Sequence, residues 1–252
     1  FQLSSSIAEI VKKTFPDIII IMGGPNFPTT PCEQRTYLES IPWVDFYVVK
    51  EGELALVKLV NRLIDTHYKK DSICYSDTPN LVSLKDGQLI ISKKLERVYD
   101  LNAIPSPYLS GRLDPFLNGE LLPVIQTNRG CPFACAFCTE GQEFWNKVRK
   151  KSRELIADEI RYIASSFSRS SNLEQRGDLL IADSNFGMFP GDLDTCDVIS
   201  EVQKTHNYPT YINVATGKNK KERVLEAARR VNGAMKLAGS VQSLDPVVQE
   251  HM

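Results

Sequence analysis

Three cysteines lie within eight residues of the chain and form the pattern CxxxCxxC. They are Cys131, Cys135 and Cys138, in the segment NRGCPFACAFCTEG. Three thiolates on one tight loop can bind three irons of a four-iron, four-sulfur cubane, whereas complete cysteine ligation needs four. The fourth iron would stay open to a substrate or cofactor, and an open position is typical of a catalytic metal centre. The spacing therefore predicts a catalytic iron–sulfur site.

Structural zinc and a cluster without turnover are the alternatives for these thiols. A closed zinc site uses four ligands, commonly two CxxC-type pairs or cysteines with histidine, and the sequence has no second pair. The remaining cysteines, Cys32, Cys74 and Cys196, are too scattered for a disulfide scaffold. We expect them to be buried or half-buried thiols without chemistry. Cys196 shares an apolar helix face with Ile199 and Val202.

Strands and helices alternate from the cysteine loop onward. Strand-like runs read LLPVIQT, LLIAD, TYINVA and AMKLAGSVQS, and helical patterns lie between them at about 152–164, 193–204 and 220–231. This order is the start of a parallel barrel or of an open parallel sheet. The loop follows the first strand, and active sites of barrels lie at the carboxyl ends of the strands. Four strands do not close a barrel, so either the chain is truncated or the sheet is open, and we expect the chain to be a fragment.

The first part of the chain follows a doubly wound α/β pattern. The run DIIIIM at 17–22 indicates a strand covered on both faces, a second strand follows at 45–49, and an amphipathic helix comes next. Ligands of such sheets bind outside the carboxyl ends of the strands, where glycines permit close backbone approach. Gly23, Gly24 and Gly52 stand at these positions. Turn formation explains them equally well.

A looser segment separates the two halves. It contains short apolar runs, several prolines and a predicted hairpin at Lys85-Asp86-Gly87. We therefore divide the chain into a first α/β domain at 1–66, a connection at 67–120 that packs on the second domain, and the second α/β domain at 121–252.

Composition and charge narrow the class of protein. The chain has 252 residues, 42% of them apolar, and a formal net charge of -1. Basic residues do not cluster, so we expect neither nucleic acid nor a membrane surface as a partner, and a small substrate is favoured. The start of the sequence lacks the pattern of a secretory signal, which predicts a cytoplasmic protein.

The segment RGCPFACAFC resembles the signature of the radical S-adenosylmethionine superfamily, with Phe137 at the aromatic position before the last cysteine. The resemblance implies a partial or full (β/α) barrel, a four-iron, four-sulfur cluster and S-adenosylmethionine. In that family the amino and carboxylate groups of S-adenosylmethionine chelate the open iron, and electron transfer then yields a 5′-deoxyadenosyl radical. A reducing partner such as a flavodoxin or ferredoxin is implied as well.

The same resemblance implies contacts to S-adenosylmethionine. Residues that end the second strand of the family's barrel commonly contact the methionine amino group, and a segment after the fourth strand contacts the ribose and carboxylate. The matching positions are Asp183, Ser184 and Asn185, and Gln242 and Ser243, respectively. The family's usual glycine-glycine-glutamate is absent at 183–185, and a polar strand end explains Gln242 and Ser243 equally well.

The first domain resembles the cobalamin-binding domain that precedes the cluster domain in one branch of this superfamily. The matching order is IIIIMGGP, VDFYVVKEGE, a helix and a proline-broken connection into RGCPF. By analogy the lower face or nucleotide tail of cobalamin would be lined by Gly23, Gly24 and Pro25, with Glu51 and Gly52 opening the helix beside it. The DxHxxG segment that ligates cobalt in many such domains is not found, and we expect His67, in a partial imitation of it, to be a surface residue.

These features together predict a cobalamin-binding radical S-adenosylmethionine enzyme that functionalises an unactivated carbon, for example by methylation of a small, natural-product-like molecule. A cobalamin-independent radical enzyme, whose first domain binds substrate or a partner, stays open as an alternative. A non-catalytic iron–sulfur or zinc protein is the other.

Overall fold

A computed structural model describes residues 2–94, 97–169, 177–237 and 243–250 of the chain. The protein is α/β and divides into two units, Phe1–Val98 and Tyr99–Met252. The unit boundary differs from the predicted 67–120 connection, because that segment is shared between the two units.

The first unit consists of a four-stranded sheet with three helices. Its elements are α1 Gln2–Thr14, β1 Ile21–Gly23, α2 Pro31–Glu39, β2 Phe46–Val48, α3 Glu53–Asp65, β3 Leu81–Lys85 and β4 Gln88–Ile91. The strand order is β1-β2-β3-β4, in which β1 and β2 are parallel and the other neighbours are antiparallel. The predicted strands 17–22 and 45–49 are both present but shorter.

The hairpin belongs to this sheet rather than to a connection. Asp86 and Gly87 both have positive φ, at 49° and 73°, which lets two residues reverse the chain between β3 and β4. β3 then pairs with β2, Tyr47 opposite Val82 and Val48 opposite Leu81. The backbone hydrogen bonds at this edge of β2 are made with β3, a strand distant in sequence. Local sequence patterns do not predict such pairing.

Helix α3 is held by one apolar face. Leu59 is fully buried, and Ala55 and Leu63 are nearly so, packed with Phe46 and Val48 of β2. The sequence pattern predicts an apolar face of Leu56, Leu59, Val60, Leu63 and Ile64. Leu59 and Leu63 are buried as predicted, whereas Leu56, Val60 and Ile64 are 42%, 39% and 51% exposed. The buried face is rotated from the predicted one, because Ala55, four residues before Leu59, takes part in it. Other apolar residues of the helix stay exposed.

The second unit is built on three parallel strands. Its elements are β5 Val124–Ile125, β6 Asn128–Arg129, β7 Arg149–Lys150, α4 Arg153–Arg169, β8 Asp178–Phe186, α5 Pro190–His206, β9 Tyr211–Thr216, α6 Lys221–Arg230 and α7 Pro246–Glu250. The main sheet has the order β5-β8-β9, and β6 and β7 form a separate antiparallel pair. Met235 adds one parallel bridge to Ile212 of β9. That bridge is what the described residues show of the predicted strand AMKLAGSVQS, most of whose second half lies outside them.

The helices of the second unit cover the sheet with the predicted faces. Ile160 and Ile163 of α4 and Cys196 and Ile199 of α5 are fully buried in one core. The placement of Cys196 on an apolar helix face is thus confirmed. Among the described helices, none combines the length and apolar character needed to cross a membrane.

Replacing Leu59 by alanine should lower the free energy of unfolding by about 3 kcal/mol, because Leu59 is fully buried and the change leaves a cavity. Denaturant unfolding followed by circular dichroism measures this loss. Leu54→Ala is the matched control on the same helix, since Leu54 is 51% exposed and should change stability by less than about 0.5 kcal/mol. Equal losses in the two variants would contradict the assigned core face.

Candidate active site

The three clustered cysteines lie in a loop that is closed by the β6–β7 pair. Asn128 pairs with Lys150 and Arg129 with Arg149, so residues 130–148 leave and return at one point. Gly130 follows β6 with φ at 110°, a conformation that L side chains rarely adopt. The loop comes just after β5, at the carboxyl end of a parallel strand, as the sequence analysis expected.

Backbone contacts shape the inside of the loop. The amide of Cys131 donates to the carbonyl of Trp145 at 3.0 Å, and the amide of Cys138 donates to the carbonyl of Cys135 at 3.1 Å. Gly141 packs directly on Cys135: a Cβ at Gly141 would overlap the Cys135 carbonyl oxygen and lie 2.9 Å from its nitrogen. Only glycine permits this approach without a shift of the backbone.

The buried carboxylate of Asp183 fixes the chain that enters the loop. One oxygen accepts from the backbone amides of Thr127 at 2.9 Å and Asn128 at 3.2 Å. The other accepts from the Asn128 side-chain amide at 2.8 Å and from the Thr127 hydroxyl. Burial raises the pKa of the Asp183 carboxyl, while these hydrogen bonds oppose that rise. Asp183 thereby ties β8 to the residues just before the first cysteine.

A part-buried ion pair holds the chain that leaves the loop. The Lys151 ammonium lies 3.0 Å and 2.9 Å from the two carboxylate oxygens of Glu159 on α4. The backbone amide of Lys151 donates to the Thr127 carbonyl at 2.9 Å. Entry and exit of the loop are therefore fastened at the same residue, Thr127.

Asn185, two residues beyond Asp183 on β8, contacts the first cysteine directly. Its side-chain Nδ2 lies 3.2 Å from the sulfur of Cys131, and the two residues are only 2% and 9% exposed. The side-chain oxygen of Asn185 is buried and has no hydrogen-bond partner among the described residues. Such an unsatisfied acceptor costs about 1–3 kcal/mol, which a donor from a bound molecule would recover.

The three thiols differ in their access to solvent. Cys131 is buried, Cys135 is half-buried and Cys138 is exposed. No three histidine, cysteine, aspartate or glutamate side chains among the described residues converge on a point that could hold a single metal ion. A cubane does not require such convergence, because each thiolate binds a different iron.

The aromatic and polar residues predicted beside the cluster occupy different environments. Phe137 is 56% exposed, and the Lys218 ammonium lies 5.9 Å from the centre of its ring. Ser184 is half-buried between Asp183 and Asn185. Ser243 accepts a hydrogen bond from the Asp245 amide at 3.1 Å, which begins the turn into α7. The remaining prediction, Gln242, falls outside the described residues.

The first unit has its own cavity, at the carboxyl ends of its two parallel strands. The cavity has a volume of about 410 Å³ and its lining includes Gly23, Gly24 and Gly52, with Lys50 and Leu56. Gly24 has φ at 124°, and a Cβ on Gly23 would lie 3.2 Å from the Val48 carbonyl oxygen. Burial lowers the pKa of Lys50, and nearby Lys94 adds to the effect.

The other two predicted residues of this region do not line the cavity. Pro25 is exposed on the surface. The carboxylate of Glu51 is buried, where it accepts from the Val98 amide and lies 3.4 Å from the guanidinium of Arg97. Glu51 therefore fastens the end of the unit to its sheet.

Cys32 and Cys74 are exposed, contrary to the expectation that they are buried or half-buried, because they lie on a helix surface and in a turn. Cys196 is buried as expected. His67 is exposed, which confirms its prediction as a surface residue.

Sequence reasoning missed the residues that hold the loop. Thr127 and Asn128 are the polar end of the strand that precedes the cysteines, and a polar pair at that edge is a signal that could have been used. The sequence around Lys151 and Glu159 has no comparable feature that would predict their ion pair. Gly141 stands in the quoted cysteine segment, yet its contact with Cys135 appears only in three dimensions.

The chain is similar in sequence to enzymes of known activity. The chain is 29% identical over 259 aligned positions to the cobalamin-dependent radical SAM methyltransferase TokK of Streptomyces tokunonensis, covering 99% of this chain and 36% of that protein. It is 30% identical over 260 positions to the 2-(S-pantetheinyl)-carbapenam-3-carboxylate methyltransferase of Streptantibioticus cattleyicolor, again with 99% and 36% coverage. The chain thus spans about a third of the length of these relatives. No protein-family profile matches it.

Solved structures show the same fold. OxsB, a cobalamin-dependent S-adenosylmethionine radical enzyme, superposes with a TM-score of 0.59 at 20% identity, over 93% of this chain and 32% of that one. The radical S-adenosylmethionine methyltransferase TsrM from Kitasatospora setae gives a TM-score of 0.57 at 15% identity, over 90% of this chain and 42% of that one. The resemblance predicted from RGCPFACAFC and from the glycine-bearing first unit is confirmed. The chain is a homologue of cobalamin-dependent radical S-adenosylmethionine methyltransferases.

Proposed function

We propose that this chain is the part of a cobalamin-dependent radical S-adenosylmethionine methyltransferase that binds both cofactors. The observation that carries the proposal is the fastening of the cysteine loop by β8: Asp183 holds its entry and Asn185 donates to the sulfur of Cys131. The relatives named above act as methyltransferases and align with nearly all of this chain. A small, natural-product-like molecule is the substrate class that we propose.

The loop residues fit a four-iron, four-sulfur cluster. Cys131, Cys135 and Cys138 supply three thiolates, and Gly141 leaves room for the backbone turn that presents them. The side-chain oxygen of Asn185 is a buried acceptor at the same edge and is unpaired among the described residues, which suits the methionine amino group of S-adenosylmethionine. When bound, the cluster supplies the electron that cleaves S-adenosylmethionine to a 5′-deoxyadenosyl radical.

The predicted cofactor contacts then fall into two groups. Asp183 already accepts from Thr127 and Asn128, so we assign it to positioning the loop. Ser184 and Asn185 remain the proposed contacts to the methionine moiety, and Gln242 and Ser243 the proposed contacts to ribose and carboxylate. Phe137, on the loop surface, would flank the bound cofactor.

The first unit fits a flat macrocycle. Its cavity is bordered by glycines at two strand ends, where the lack of side chains exposes backbone to a ligand. We propose that Gly23, Gly24 and Gly52 contact cobalamin there, and that Pro25 lies at the rim. Glu51 acts through the ion pair with Arg97 instead. A cobalamin-independent enzyme is the second candidate, in which this cavity would accept another ligand.

The architecture and surroundings follow from the same proposal. We propose a Rossmann-like first unit and, in the second unit, the first half of a partial (β/α) barrel, because β5, β8 and β9 are parallel and alternate with helices.

A cytoplasmic location would keep the three thiols reduced. A flavodoxin or ferredoxin would supply electrons, and nucleic acid is not expected as a partner.

Anaerobic reconstitution of the full chain with iron and sulfide tests the cluster. We expect about four irons and four sulfides per chain, as in a cubane. With dithionite and S-adenosylmethionine, formation of 5′-deoxyadenosine measured by chromatography would support radical cleavage. One zinc per chain without sulfide would contradict the proposal.

Replacing Gly141 by alanine should remove most of the bound iron, because the added methyl overlaps the Cys135 carbonyl and must displace that part of the loop. Iron and sulfide analysis after reconstitution measures the loss. Gly191→Ala is the matched control, since a Cβ at Gly191 meets nothing within 4 Å. If both variants bind as much iron as the unchanged chain, Gly141 has no role in presenting the cysteines.

Replacing Gly52 by leucine should weaken cobalamin binding by at least about tenfold, because a bulky side chain enters the cavity where the macrocycle would lie. Gly52 has φ at -92°, which other residues adopt, so the fold should persist. The absorption spectrum of the protein–cobalamin complex measures binding. Val57→Leu on the exposed face of α3 is the control, and equal binding by both variants would exclude this cavity.

A further inference from the structure

The contact between Asn185 and Cys131 has a consequence for electron transfer. The amide nitrogen lies 3.2 Å from the sulfur, within hydrogen-bond range for a sulfur acceptor. Asn185 and Cys131 are 2% and 9% exposed, so water competes weakly for this bond. Such a hydrogen bond is stronger than one at an exposed thiol.

The charge of the Cys131 thiolate determines which end of the Asn185 side-chain amide faces the sulfur. A thiolate bound to iron carries negative charge and has no proton, so it can only accept a hydrogen bond. The side-chain oxygen of Asn185 would repel it, whereas the NH₂ group donates to it. The orientation with Nδ2 on the sulfur is therefore the one that a bound cluster stabilises.

Reduction of a cluster adds negative charge that is shared with its sulfur ligands. A donor on a ligand sulfur stabilises the reduced form more than the oxidised form, which raises the reduction potential. We infer that Asn185 is a positioning residue that holds the Cys131 thiolate and raises the reduction potential of the cluster. This inference rests on the proposed function, because it requires the iron–sulfur cluster.

Among the described residues, no other side chain donates to a cysteine of the loop. Cys138 is exposed and Cys135 half-buried, so water can reach them more readily. The effect of Asn185 is thus expected at one thiolate, the most buried of the three.

The test compares the reduction potential of the reconstituted full chain with that of Asn185→Leu. Leucine has a similar size and no donor. Titration with dithionite, followed by electron paramagnetic resonance, should show the variant cluster harder to reduce. We expect the ratio of reduced to oxidised cluster at the original midpoint to fall about tenfold, which for one electron corresponds to about 59 mV.

Gln203→Met is the matched control. It also replaces a part-buried amide by an apolar side chain, but Gln203 donates to the backbone carbonyls of Pro209 and Val231 and to none of the cysteines. Stability should fall in this control while the potential stays unchanged. A shift in the control as large as that in Asn185→Leu would show that the effect is general loosening, and would overturn the inference.

A second measurement uses the unchanged chain, so it still tests the inference if Asn185→Leu fails to bind the cluster. Asparagine labelled with ¹⁵N at the side-chain amide should give a ¹⁵N coupling to the reduced cluster in pulsed electron–nuclear double resonance, and Asn185→Ala should lose it. Absence of the coupling in the unchanged chain overturns the inference. Failure of the unchanged chain to bind about four irons would instead overturn the proposed function.

Discussion

The cysteine loop depends on one buried carboxylate. Asp183 stands on β8, yet each hydrogen bond described for it comes from Thr127 and Asn128, at the start of the segment that leads to the cysteines. Because those residues lead directly into the loop, buried hydrogen bonds tie the loop to the sheet. Asn185 extends the same connection to the sulfur of Cys131. The geometry of the site is thus set by neighbouring parallel strands, where barrel folds place their chemistry.

In both units the proposed cofactor site lies at the carboxyl ends of parallel strands, but different residue types stand there. In the first, the carboxyl ends of two parallel strands carry glycines, and the result is a cavity of about 410 Å³ bordered by backbone. In the second, the equivalent edge carries polar side chains, and the result is a fastened loop with three thiols. A flat macrocycle needs surface without side chains, while a small inorganic cluster needs ligands held at fixed places. The sequence of each edge matches the cofactor that we propose for it.

Local patterns were predictable and distant contacts were not. The spacing of Cys131, Cys135 and Cys138 and the helix face of Cys196 depend on neighbouring residues, so they could be predicted from the sequence. The bond between Thr127 and Asp183 joins residues 56 positions apart, and no local pattern indicates it. The hairpin at Asp86 and Gly87 was predicted, but its pairing with β2 was not, because strand partners are chosen by the whole sheet.

The uneven burial of the three thiols implies an order of events during cluster assembly and damage. Cys131 is enclosed and already held by an amide donor, whereas Cys138 stands at the surface. Iron arriving from solvent would meet the outer thiol first. Oxidants in solution also meet the outer thiol first when no cluster is bound, because thiol oxidation follows exposure. The loop therefore has an end that is open to solvent at Cys138 and an enclosed end at Cys131.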